Sequence, residues 1–341
     1  MAKKKLKFCV VDTETATLPF ANDIAQGDPE RKKRIAIAKP LVYDIGWTIC
    51  TRDGTILDKK QFLIAETFSV MPIFNTAYYK DKRPIYIEML RRGETCIKPW
   101  NEVMDIFMAD LATVDAVGAF NAMFDFKKAI PFTELYISKI YSPDFYSWEE
   151  MQYKLCEKIA NKVPNDTKKR EFDPGIFKFR GNEYILFDLW GLSVTHLLNN
   201  VTYKNKCLEN GLLTNSGTFF KTSAESTYQY LMNKFDFVES HTALDDAMIE
   251  SYILHKIAQK HAITPGIEYF PFSDLGYTYD FCKRRKNPRV EECKVVIDKI
   301  NAYLEDKAAQ GIENAYTTRL YNIVTNLAEY AGIPLYVGIP L

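Results

Sequence analysis

The sequence lacks most of the features that assign a class at a glance. Its 44 basic and 44 acidic side chains cancel, so no global field attracts a polyanion and any nucleic-acid contact has to be local. No apolar run approaches the ~20 residues of a membrane span. The cysteines number seven, at 9, 50, 96, 156, 207, 282 and 293, and none forms a C-x-x-C pair. That argues against a zinc or disulfide framework and for reduced thiols. The basic start leads into only Phe8-Cys9-Val10-Val11, well short of the ~7–15 apolar residues of a signal-peptide core. A soluble, non-exported protein of the cytoplasm is expected. Histidine is scarce as well, with four in 341 residues.

Against these absences stands the stretch from Phe8 to Thr15, whose end reads Asp12-Thr13-Glu14. Four apolar residues predict a short buried strand, and carboxylates spaced i, i+2 lie on one strand face. Like charges so placed repel and are costly to desolvate, so they require a compensating charge, most simply a divalent cation. Hard oxygen ligands suit magnesium or manganese. Taken alone, the pair reads equally well as a cap where the strand leaves the sheet.

The polar stretch near 16–40, with Pro19, Gly27 and Pro29, predicts a long loop or lid. It carries Arg31, Lys32, Lys33 and Arg34, a basic cluster in the loop leaving the metal strand; further basic runs at 3–7, 168–170 and 283–286 read as solvated surface. Residues 41–50 and 56–65 read as strands around a hairpin turn at Arg52-Asp53-Gly54. Residues 99–111 place Val103, Met104, Phe107, Met108 and Leu111 on one helical face. A buried strand at 116–121 runs into Ala122-Met123-Phe124-Asp125, a helix start at a strand end, where α/β folds bind ligands. Asp125 there reads also as a simple partner of the helix dipole. A second insertion near 142–180, with a helix at 147–163, is polar and basic and offers no chemistry. The strand at 184–190 ends near Asp188, read as hydrogen-bonded scaffold, and 222–232 is a helix capped by Thr222 or Ser223.

A helix beginning near Thr242 is expected to turn Leu244, Met248, Ile253 and Ile257 inward, with Ala247 allowing close approach. His241 stands just before its first turn and Asp246 just past it, so both can face one spot, while Asp245 points outward. Beyond 261 the pattern changes. Two amphipathic helices follow, one lined by Val295, Val296, Ile300, Tyr303 and Leu304, the other by Tyr316, Leu320, Ile323, Val324 and Leu327. They predict a helical accessory region over 262–341. Among the aromatics, Phe20, Tyr78 and Tyr79 near the lid are candidates to stack on unpaired bases, although most aromatics in a domain of this size serve the core.

Asp12-Thr13-Glu14, then Asn121-Ala122-Met123-Phe124-Asp125, then His241 with Asp246 five residues on, in that order, resemble the DnaQ-like exonucleases of the DEDDh type. The stretch around His241 is similar to members carried by bacteriophages. The resemblance spans about residues 6–260 and implies an exonuclease domain over 1–261. Its fold would be α/β and RNase H-like, an antiparallel meander plus parallel strands flanked by helices, with a C-terminal helical extension. By resemblance, Asp12, Glu14 and Asp246 are metal ligands, Asp12 bridging to a second ion; Asp125 steadies the metal and its water, and His241 is the general base. Thr13, Thr15, Asn121 and Phe124 would touch the substrate, with Arg31, Lys32, Lys33 and Arg34 beside it. Where that family often has Thr-Gly after the first motif, this chain has Thr15-Ala16-Thr17, and Phe120 replaces a histidine.

The implied chemistry uses two divalent cations ~3.5–4 Å apart to clamp the scissile phosphate, and an imidazole, of ordinary pKa ~6.5, to take a proton from water. Nucleoside 5′-monophosphates would leave from the 3′ ends of single strands, DNA ahead of RNA, in a host-cell cytoplasm if the gene is a phage's. Proofreading would need a separate polymerase as partner. Two alternatives remain: an RNase T-like or oligoribonuclease-like 3′ exoribonuclease, and a non-catalytic nucleic-acid-binding or polymerase-partner module.

Overall fold

The computed structural model describes residues 5–19, 27–29, 39–141, 175–214, 219–261, 263, 290–313 and 315–334. Arg31, Lys32, Lys33, Arg34 and Phe20 lie outside them, as do most of the expected insertions near 16–40 and 142–180, the helix at 147–163, and the basic runs at 168–170 and 283–286.

Seven strands, β1 (Lys7–Ala16), β2 (Leu41–Thr51), β3 (Ile56–Ile64), β4 (Cys96–Lys98), β5 (Ala116–Ala119), β6 (Ile176–Phe179) and β7 (Asn182–Asp188), form one mixed sheet in the order β4-β3-β2-β1-β5-β7-β6. The first three make an antiparallel meander, β5 runs parallel to β1, and β7 parallel to β5. This is an α/β, RNase H-like arrangement. The longer helices are α1 (Arg83–Arg92), α2 (Trp100–Leu111), α3 (Ile130–Ile140), α4 (Val201–Asn210), α5 (Ala224–Met232), α6 (Ala243–Lys260), α7 (Val290–Ala309) and α8 (Ala315–Ala331). Among the described residues, no helix is long and apolar enough to cross a membrane.

Strand alternation sorts β1 and β2 between two cores. Cys9 and Val11 of β1, with Tyr43, Ile45, Trp47 and Ile49 of β2, face α2 and α3, where Val103, Met104, Phe107 and Leu111 are buried as expected. Met108, expected on that face, is only half-buried. Phe8 and Val10 face the other way, toward Ile253, Leu254 and Ile257 of α6. On that second side β2 presents Asp44, Gly46, Thr48 and Cys50, nearly all small or polar. The helix can therefore come very close: a Cβ added to Gly46 would lie 2.3 Å from the amide nitrogen of Leu244. The expected inward set on α6 is half right. Ile253 and Ile257 are buried, but Leu244 and Met248 are only half-buried, because Ala243 and Ala247 meet the flat surface of β2 instead.

The end of the described chain forms a core of its own. Cys293, Val296, Ile300 and Leu304 of α7 pack with Leu320, Val324 and Leu327 of α8 around Leu213. Val295, expected in that stripe, is 52% exposed; the buried row runs through Cys293 and Ile297 instead. Ser223 caps α5, its hydroxyl accepting from the Ser226 amide.

Candidate metal centre and active site

The carboxyl ends of β1 and β5 and the first turns of α6 surround a cavity of about 250 Å³. Strand parity aims Asp12 and Glu14 at α6, while Thr13 points to the opposite face, where its hydroxyl donates to Asp125 Oδ1 at 2.6 Å. Asp125 thus arrives from the other side of the sheet and is tied to β1. It follows Asn121, whose backbone is left-handed (φ 71°) and whose carbonyl accepts from the Phe124 amide, a sharp strand-to-helix turn that asparagine tolerates. Asp188, completely buried, accepts from the Trp190 and Gly191 amides, the scaffold role expected of it.

Asp246 enters from α6. Its position depends on a residue that sequence reading passed over: Asp44 of β2 accepts from the Ala243 amide at 2.9 Å and from the Gln61 side chain, capping α6 where Thr242 makes no side-chain cap. One turn along α6, Glu250 accepts from the Phe120 amide at 3.1 Å and closes the floor beneath Asp12. It too was missed, although its place four residues after Asp246 on an inward face was the available signal. Asp245 is exposed, as expected, and accepts from Ser240 and Thr242.

His241 completes the ring. Its Nδ1 lies 3.8 Å from Asp246 Oδ2 and 3.8 Å from Oε2 of Glu239, distances at which the coupling is Coulombic rather than a hydrogen bond. Its ring stacks on Tyr79, with centroids 4.2 Å apart and planes inclined at 14°. Lys82, half-buried over the Tyr79 ring, donates to the Ser240 carbonyl. Burial holds the Lys82 ammonium below its usual pKa, against the opposing pull of Glu14, Asp246 and Glu239.

So many acids in one place hold protons tightly. Burial and then Glu250, Asp246 and Glu14 push Asp12 well above the carboxylate range. Burial, with Asp246 and Asp44 next, lifts Glu14 to about 9. Asp125 is raised to about 7 by burial, the Thr13 bond pulling back. Asp246 is raised by burial despite His241 beside it, and Glu250 is pushed well up by burial and Asp125. The site is short of positive charge, and a divalent cation would supply it.

The donor set fits such an ion. Glu14 and Asp246 each bring a carboxylate oxygen within 4.8 Å of the other and of a His241 ring nitrogen, which places the imidazole beside the ion. Asp246 is 7% exposed, and its buried Oδ1 has no hydrogen-bond partner. Oxygen-rich ligation of this kind suits magnesium or manganese.

Of the residues expected to touch substrate, Thr13, Asn121 and Phe124 line the cavity. Thr15 does not; the register of β1 against β2 shifts between Glu14 and Thr15, just past the acids. Tyr78 is 87% exposed, whereas Tyr79 is engaged with His241. A larger, apolar pocket of about 730 Å³ adjoins the cavity, sharing Phe120, Asn121 and Ala224 and adding Trp190, Phe219 and Phe220. Compared with family models, with curated proteins and with solved structures, the chain matches none.

Proposed function

We propose that the chain is a metal-dependent 3′-to-5′ exonuclease that releases nucleoside 5′-monophosphates from single strands, DNA ahead of RNA. The observation that carries the hydrolytic reading is the convergence of Asp12, Glu14 and Asp246 with His241 around a buried, unpartnered carboxylate oxygen. A fold needs no such convergence, and burying like charges without a partner opposes folding. The adjoining apolar pocket supports a substrate longer than one nucleotide, since aromatic walls accept bases of any sequence. The 3′ polarity and the single-strand preference rest on the motif resemblance.

Asp12, Glu14 and Asp246 would hold the cations, with Asp125 steadied by Thr13 at the edge of the set. When bound, the cations supply Lewis acidity to the scissile phosphate and acidify the attacking water. His241 takes the proton of that water on a ring nitrogen. Glu239 and Asp246, on either side of Nδ1, then stabilise the imidazolium. Glu250 and Asp44 stay outside the reaction: one fixes the β5 end through Phe120, the other fixes the start of α6.

The test is degradation of 5′-labelled single-stranded DNA and RNA of one sequence, with magnesium or with EDTA, beside His241→Ala. A ladder shortening from the 3′ end, abolished by EDTA and slowed at least ~10²-fold in the variant, is expected. No cleavage of either strand with any divalent cation would leave a binding module as the better reading.

A further inference from the structure

The His241 imidazole has no close hydrogen bond to either neighbouring carboxylate: Asp246 and Glu239 face Nδ1 from 3.8 Å, a loose charge contact rather than a well-aimed bond. A general base is ordinarily aimed by a hydrogen bond to its second nitrogen, so here something else must aim it. Its backbone is also held in the left-handed region, at φ 53°, a conformation that persists in a non-glycine residue only where its surroundings enforce it. The enforcing contacts come from one short segment between β3 and β4. Tyr79 lays its ring against the imidazole, Lys82 grips the Ser240 carbonyl, and the Tyr86 hydroxyl donates to the His241 carbonyl at 3.4 Å.

We propose that Tyr79 is the positioning residue for His241, aiming the imidazole by ring stacking in place of a close hydrogen bond. The inference rests on reading His241 as the general base. The ring restricts the imidazole to one plane without occupying either nitrogen itself, so that a ring nitrogen can receive the proton of the water. Lys82 contributes by holding the loop backbone, which keeps the imidazole from following a rotating main chain. The phenol hydroxyl has no part in this; the aromatic face is what matters.

The experiment compares wild type with Tyr79→Ala, Tyr79→Leu and Tyr79→Phe, using manganese and two substrates: a 5′-labelled single-stranded oligonucleotide and the p-nitrophenyl ester of thymidine 5′-monophosphate. A second readout is the imidazole carbon–proton spectrum, with the His241 signal identified by its loss in His241→Gln. In the wild type a ring stacked this closely shifts the His241 ring protons upfield. Tyr79→Ala and Tyr79→Leu are expected to lose that shift and to lower kcat roughly 10–100-fold on both substrates with KM unchanged; Tyr79→Phe restores the shift and brings kcat to within about threefold of wild type. Tyr79→Leu keeps the bulk, so it serves if the alanine variant fails to fold. An active wild type whose leucine variant keeps full kcat, or keeps the ring shift, overturns the inference. A wild type that shows the ring shift and hydrolyses neither substrate overturns the exonuclease reading instead.

Discussion

Near the cavity, the two sides of β1 and β2 are built on opposite principles. Toward α2 and α3 the strands present Trp47, Tyr43, Ile45 and Val11, and the helices answer with Phe107 and Trp100, all fully buried. Toward α6 the same two strands present Asp12, Glu14, Asp44, Gly46 and Thr48, and α6 answers with Ala243, Asp246, Glu250 and Ser251, with Thr48 and Ser251 hydroxyls 2.5 Å apart. One side stores stability in apolar contact along its whole length; the other keeps such contact at the Phe8 and Val10 end and gives stability up at the Asp12 and Glu14 end to hold charge at close range. Alternation along a strand makes this division possible, because a single backbone serves both faces without either side chain set intruding on the other.

The largest effect separating the two faces is a dependence on pH. Glu14, Asp125 and Asp44 keep their protons to about 9, about 7 and about 6 in the folded chain, against ~4 when unfolded. Between those limits the folded state binds more protons, so the cation-free protein loses several kcal/mol of stability as pH rises from 5 to 9. Denaturant titrations in EDTA should show that fall, and manganese should flatten it by supplying the missing charge. A flat profile in EDTA would mean that the acids are not packed as closely as described.

Next comes truncation on the apolar side. Trp47→Ala removes contacts with Phe62 and Phe107 and the indole bond to Asp110 at 2.8 Å, leaving that carboxylate with Lys60. It should cost about 3–5 kcal/mol with the pH dependence unchanged. Smaller in energy, and sharper as a test of the comparison, is Gly46→Ala. The new methyl group meets backbone of α6, which cannot yield as a side chain would, so stability falls by about 1–3 kcal/mol. Turnover should fall by more than stability does, since the helix that moves carries Asp246. Equal losses in both would remove the distinction between the faces.

Much of this was legible in the chain itself. Asp12 and Glu14 at i, i+2 on an apolar strand, Asp125 at a strand-to-helix turn and His241 before Asp246 at a helix start can each be read locally, and the fold brings them to one cavity. The meander and the buried face of α2 were equally plain, because large apolar residues mark them. What escaped depends on partners far away in sequence. Asp44 sits in a strand that reads as apolar, and its role appears only when α6 lands on it 199 residues later. Tyr79 read as a candidate to stack on unpaired bases, and its ring instead lies on His241. The inward face of α6 was misjudged at Leu244 and Met248 because apolar periodicity assumes an oily partner, and β2 offers a nearly flat one.

One feature of the helix after β5 reaches beyond the site. Asp125–Ala129 forms a π turn before α3 proper, and two residues tie this helix to β1 and β2: Asp125 to Thr13, and Thr133, whose hydroxyl accepts from the Val42 amide at 2.9 Å. They are eight apart, which in a regular α-helix would set them about 80° out of phase. The additional residue absorbed by the π turn brings them to within about 20° of one line. In genetic terms, the π turn is an insertion already absorbed: the loss of a single codon between 126 and 132 would straighten the helix and leave the ties seven apart, still within about 20° of one line, whereas a further added codon would carry one of them out of reach.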